Sequence, residues 1–300
     1  MLVRALQSTQ SATPRLATAT RKRFGIGLLL AWPTLALVGL AVVPFGLLIR
    51  ISLAQPDPND LWTSALTLDS YRALLDLNFA GALVYSLALA VVVAAASVGL
   101  GFPLTWFITR MARRLQVVWL VFLLATLSLS DVLIAFAWQV MLSKRVGLSN
   151  LFVMLGLLDR PESLTPSSGA VIASFIYLVL PFTVLTLYPA LSQLSPSLVE
   201  AARTLGASPF VAFRTVVIPL TLRSAVVAFL ISAVLTVGAY VSPIVLGRPQ
   251  NWTLAVLIGN AALAGHNVPA AAAMSVCLLA ALLVVAGGAA WAVKARAASR

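Results

Sequence analysis

Few residues in this chain are able to do chemistry. Of its eight acidic residues, Asp131 alone stands inside an apolar run, "LSLSDVLIAFAW". A charge at mid-bilayer costs about 2.5–3.5 kcal/mol on insertion scales, so such a carboxylate must face a bundle interior, a water path or a partner. Two readings stay open for it: a contact to a cationic solute, or a structural partner for polar groups on a neighbouring helix. Trp138, Tyr177 and Tyr240 also lie in apolar runs. Their rings suit cation–π contact with an amine, although rings in such places more often pack or anchor at the interface. One histidine, His266, and one cysteine, Cys277, make neither a metal cluster nor an internal disulfide. No nucleophile–base pattern is present, and no Gly-Lys-Ser/Thr loop to cradle phosphates. The expectation is a chain that is not an enzyme and holds no metal or cofactor.

A second group of residues points to mechanics. Residues 195–223 read "SPSLVEAARTLGASPFVAFRTVVIPLTLR". Pro196 suits a first helical turn, Ser197 and Glu200 have capping-box spacing, and Gly206 suits a left-handed helix end. Ser208 then caps again and Pro209 opens a second helix. Phe210, Phe213 and Val217 form its apolar stripe, and Pro219 is expected to stop or kink it. Helices this short are marginal in water and need a surface to pack on. Ala201 and Ala202 permit close approach, Phe210 and Phe213 offer anchors, and Glu200 is the lone acid on a basic face. Local physics alone leaves lipid headgroups and a cytoplasmic protein as equal candidates for that surface.

The elements that position these residues follow from composition. Of the 300 residues 61% are hydrophobic and 9% charged, against roughly 25% charged in soluble domains. A water-soluble fold cannot hide so much apolar surface, and a hydrocarbon solvent removes the difficulty. Residues 24–49 and 224–247 carry no Asp, Glu, Lys, Arg or His, and each exceeds the roughly 20 residues that span a bilayer as a helix. The fold class read here is an all-α membrane protein with six transmembrane helices. The spans are placed at 24–49, 82–108, 117–142, 169–191, 224–246 and 268–293. Residues 252–263 are apolar but too short to cross, and read as an interfacial or re-entrant helix.

Charge sets the expected topology. With the N-terminus inside, fourteen of the 20 Lys and Arg lie on inner segments, among them Arg110, Arg113, Arg114, Arg203, Arg214 and Arg223. Asp57, Asp60, Asp69, Asp76, Asp159 and Glu162 fall outside, and Glu200 inside. By the positive-inside rule both termini are cytoplasmic. The net charge of +12 is then a topology signal, and no nucleic-acid partner is expected. Residues 1–23 read as a basic cytoplasmic tail, 24–293 as the membrane domain with its cytoplasmic loop at 192–222, and 294–300 as a second tail. The outer loop after the first span contains "TLDSYRALL", read as a short surface helix; residues 144–168 form a second outer loop.

The 195–223 segment resembles the EAA signature of ATP-binding-cassette (ABC) importer permeases. Glu200, Ala201, Ala202, Gly206 and Pro219 fall at its positions, with Val216 and Ile218 where Ile and Leu are usual. "VYSLALA", "FAWQVMLSKRVGLSN", "YLVLPFTVLTLYPAL" and "GAYVSPIVLG" extend the likeness to permeases of the spermidine/putrescine type, in particular the first of their two permease subunits. Ile134 and Phe136 depart from that pattern, since relatives often carry an arginine nearby. The resemblance implies a type I importer (MetI-like) fold in the bacterial inner membrane. It implies an ABC ATPase dimer that carries ATP and Mg and docks on Glu200, Ala201, Ala202, Gly206, Phe210, Phe213 and Pro219. It further implies a second permease subunit, a solute-binding protein, and a small solute, with polyamine the first choice. A secondary transporter would instead show internal repeats and ion-coupling charges. A membrane scaffold would have no use for the spaced loop.

Overall fold

Where side chains are apolar all round, the backbone must satisfy its own hydrogen bonds, and the chain is accordingly a succession of helices. The computed structural model describes residues 16–298, apart from 58–61, 64, 75, 145–146 and 157–158. Residues 1–15 of the expected tail, and Asp60, Leu75, Arg145 and Arg300, lie outside the described residues. The helices are α1 (Leu16–Ser52), α2 (Asp69–Ala73), α3 (Leu77–Arg110), α4 (Arg113–Leu127), α5 (Asp131–Met141), α6 (Leu148–Met154) and α7 (Ser168–Ser192). There follow α8 (Pro196–Thr204), α9 (Pro209–Ala212), a π-helical turn (Phe213–Val217), α10 (Ile218–Gly238), α11 (Val241–Leu246), α12 (Leu254–Leu263) and α13 (Val268–Ala298). The chain forms two compact units divided after Arg50.

In the first unit, α1 begins at Leu16, inside the segment expected to be a tail. α13 likewise runs on through the expected tail at 294–298. In the second unit the core is a three-helix packing of α3, α7 and α10. Small and hydroxyl-bearing residues let these helices approach, as membrane helices require. A Cβ on Gly101 of α3 would stand 2.8 Å from Thr183 Cγ2 of α7. The Thr183 and Ser232 hydroxyls share a hydrogen bond of 2.9 Å between α7 and α10. Outward faces carry Val91, Phe107, Val121, Leu220 and Val284, all exposed, which is the pattern of a surface covered by hydrocarbon.

Contacts fix the directions of these helices. Tyr85 near the start of α3 bonds to Ser168 at the start of α7, so the two run parallel. Phe213 meets Phe102 and Trp106 near the end of α3, so α10 runs antiparallel to both. The helix read in "TLDSYRALL" is α2. The loop at 144–168, read without helix, holds α6.

Two expected spans differ from single straight helices. The third is α4 and α5, bent by 95° between them. Ser130 is extended there, and Asp131 begins a new helix as its first-turn acid. The fifth begins earlier than read and ends at Gly238. Pro243 has no N–H to offer the carbonyl of Ala239. Ala239 is extended, and the chain resumes as α11. Among the described residues five helices are long and apolar enough to cross a membrane, six if the bent pair counts as one. α12 has ten residues, about 15 Å at 1.5 Å per residue, half a bilayer's hydrocarbon. It packs on α3, α10, α11 and α13. Its first N–H donates to Ser86 Oγ of α3 at 2.7 Å, and Gly259 lies against the Tyr240 ring, where a Cβ would fall on the ring carbons.

Candidate functional site

The loop between α7 and α10 is built from local signals. Ser195 precedes Pro196, which takes the first turn of α8. Ser197 is therefore already helical and forms no capping box with Glu200. Its hydroxyl instead shares a 2.8 Å bond with that of Ser195. At the other end Gly206 has φ +90°, a conformation that costs an L side chain roughly 1–2 kcal/mol. The Gly206 N–H donates to Arg203 O at 3.0 Å and the Ala207 N–H to Ala202 O at 3.1 Å. These are the two bonds of a Schellman ending, which satisfy carbonyls the helix would leave open. Ser208 Oγ then accepts the Val211 N–H at 3.3 Å and Pro209 opens α9.

Pro219 does not stop this helix. Helical structure runs without interruption from Pro209 to Gly238, and the disturbance falls one turn earlier, as the π turn Phe213–Val217. A proline removes one backbone bond and crowds the carbonyl four residues before it. A π turn takes up that misfit by inserting one residue. The second loop helix and the fifth span are thus one continuous rod.

The apolar stripe divides. Val217 is fully buried. Phe213 turns into the bundle and packs edge-on against Phe102 at 5.5 Å and Trp106 at 5.8 Å between ring centroids. Phe210 stays 71% exposed. Glu200 and Ala201 are exposed, and Ala202 is partly so. The outward surface of the loop is therefore Glu200, Ala201, Leu205 and Phe210, while Phe213 and Pro219 belong to its attachment. A polar clamp lies at the same end of the bundle. Tyr188 OH of α7 donates to Gln116 Oε1 at 2.7 Å, Arg113 donates to Tyr188 OH at 3.1 Å, and Gln116 Nε2 donates to Met111 O at 2.8 Å. Sequence reading missed this clamp because its members are 72 and 75 residues apart.

The intramembrane carboxylate lies at the break. Asp131 occupies the first turn of α5, where the helix dipole favours an anion, and accepts the Ser242 hydroxyl of α11 at 3.1 Å. Trp138, two turns along α5, meets Tyr177 of α7 edge-on at 6.3 Å. The two rings close an apolar cavity of about 400 Å³ with Leu129, Leu133, Ile134 and Met141. Asp131 and Tyr240 are not in its wall. Tyr240 instead packs on Gly259.

Five or six apolar helices among the described residues, with a capped two-helix loop ahead of the fifth span, define the permease subunit of an ABC importer, a multi-pass protein of the inner membrane. The chain belongs to the family of binding-protein-dependent transport system inner membrane components, which matches residues 98–297. It is 29% identical over 224 residues to the spermidine/putrescine transport system permease protein PotB of Escherichia coli strain K12, covering 75% of this chain and 80% of that one. To the protein of the same name from Haemophilus influenzae it is 24% identical, over 88% of this chain and 91% of that one. An inner membrane ABC transporter permease protein of Escherichia coli, YdcU, is 30% identical over 71% of this chain and 72% of its own. Among solved structures, a bacterial ABC transporter that imports the acidic polysaccharide alginate has the same fold. Its TM-score is 0.73 at 18% identity, with 94% of this chain and 99% of that one covered. Subunits of this family work with an ATPase and a solute-binding protein.

Proposed function

We propose that this permease subunit imports a polyamine of the spermidine/putrescine type. The observation that carries the reading is the placement of Asp131 and Trp138 on one helix. Seven residues apart, they fall on the same face of α5, about 10 Å along its axis. A polyamine has separated ammonium groups, so one can meet the carboxylate while another lies over the Trp138–Tyr177 pair. The likeness to the polyamine permeases named above supports the same choice. Tyr240, behind the break, steadies α12 against that path.

Power comes from outside the chain. The ATPase dimer, carrying ATP and Mg, docks on Glu200, Ala201, Ala202 and Phe210. Gly206 sets the angle between the two loop helices, and Phe213 and Pro219 carry the push into α10. With this loop cytoplasmic, both termini are cytoplasmic as well, and the charge asymmetry supports that orientation. A distinct second permease subunit completes the core, and the binding protein delivers solute to the face that carries α2 and α6.

The test is ATP-driven uptake of labelled spermidine into vesicles holding this chain, its candidate ATPase, a second permease and a binding protein. Uptake is expected, and Asp131→Asn should abolish it while the complex still assembles. Unchanged uptake in that variant removes Asp131 from the path. ATP hydrolysis stimulated by a binding protein loaded with a different solute, without spermidine uptake, overturns the polyamine assignment.

A further inference from the structure

A groove of about 740 Å³ lies between the second half of α3 and the rod formed by α9 and α10. Gly99, Phe102, Trp106 and Phe107 form one wall, and Phe210 and Leu222 stand in the other. From Val98 to Phe107 it follows α3 for roughly 14 Å at 1.5 Å per residue, close to one leaflet's half of a ~30 Å hydrocarbon core. One turn past Phe107, the Arg110 guanidinium carbon sits 4.1 Å over the centre of the Trp106 ring. Among the described residues Arg110 has no carboxylate within ion-pair distance. An apolar groove one leaflet long thus has, stacked on its wall residue Trp106, a guanidinium with no carboxylate partner among the described residues, which is the charge and shape complement of a phosphate ester with a hydrocarbon tail.

We infer that this groove binds one anionic phospholipid, with an acyl chain along α3 and its phosphate on Arg110. The lipid lies against Phe213, so it touches the joint between the loop and the bundle. Its effect on coupling rests on the function proposed above, but the binding itself does not.

The test uses the full chain in phosphatidylcholine vesicles that contain either brominated phosphatidylglycerol or brominated phosphatidylcholine. The Trp106 signal is the difference between wild type and Trp106→Phe. Quenching of Trp106 should favour the anionic lipid about fivefold, the preference expected of one arginine at an anionic surface. Arg110→Gln should remove that preference. Gly99→Leu should weaken quenching by both lipids, since a Cβ there meets nothing within 4 Å and the side chain fills the groove without moving the backbone. Equal quenching by the two lipids in wild type, or an unchanged preference in Arg110→Gln, overturns the inference. Absence of quenching by either lipid also overturns it, and assigns the groove to a protein segment. None of these readouts depends on transport.

Discussion

The loop between α7 and α10 and the break between α4 and α5 are both departures from straight membrane spans, and they are made by opposite means. In the loop each turn is specified by a residue in place: Pro196 to begin, Gly206 at φ +90° to end, Ser208 to begin again. At the break, which bends by 95°, the side-chain partner of Asp131 comes from far away, from Ser242, 111 residues distant. The difference teaches where each region finds its backbone partners. A loop facing water must satisfy its helix ends locally or by water. A break among packed helices can take partners from any neighbour.

The comparison can be tested from its strongest point downward. Glu200→Arg reverses the one acidic charge on the loop's outward face. If that face docks an ATPase, the change should cost about 2–4 kcal/mol as a central contact does, a loss of roughly 30- to 1,000-fold in ATPase affinity. Titration of the purified ATPase against the permease complex measures it, and retained affinity would remove Glu200 from the contact. Gly206→Ala should cost about 1–2 kcal/mol for its left-handed backbone. Binding-protein-stimulated ATP hydrolysis would fall roughly tenfold while membrane insertion is unchanged.

At the break, a double-mutant cycle of Asp131→Asn and Ser242→Ala should give a coupling energy of about 0.6–1.7 kcal/mol, the range for hydrogen bonds between membrane helices. Unfolding of the four proteins in detergent supplies the values. A coupling near zero would mean that the bend is held by packing alone. The smallest contrast lies within the loop. Ser208→Ala loses a cap worth about 1 kcal/mol. Ser195→Ala should stay within about 0.5 kcal/mol, because Ser195 makes no side-chain cap bond. Hydrogen exchange at the amide of Val211, compared with the first turn of α8, distinguishes the two.

Much of the loop was legible before any coordinates. Helix starts at Pro196 and Pro209 and the ending at Gly206 fall where the residues put them. The supposed capping box did not form, because Pro196 had already claimed the first turn and left Ser197 inside the helix. Phe213 was misread as a free anchor. On a helical stripe it looks equivalent to Phe210, and only the rings of Phe102 and Trp106 on α3 distinguish them. The break carried a weak local sign, Ser130 followed by Asp131, a cap with a first-turn acid. Within an apolar run otherwise long enough to span, that sign does not outweigh continuity. Ser242 had no sign at all, nor did the cavity closed by Trp138 and Tyr177.

By itself the sequence determined the solvent, the number of apolar runs and the caps of the loop between α7 and α10. Each rests on a segment's own composition or on bonds spanning a few residues. The tertiary structure decided which way Phe213 faces, that Pro219 leaves a continuous rod, and that the third span bends at Asp131. Those outcomes depend on neighbours brought close only by packing of α3, α7 and α10. In a hydrocarbon phase nearly every residue is apolar, so hydrophobic pattern no longer marks the buried face. Close approach, hydroxyl pairs and ring contacts make that choice instead.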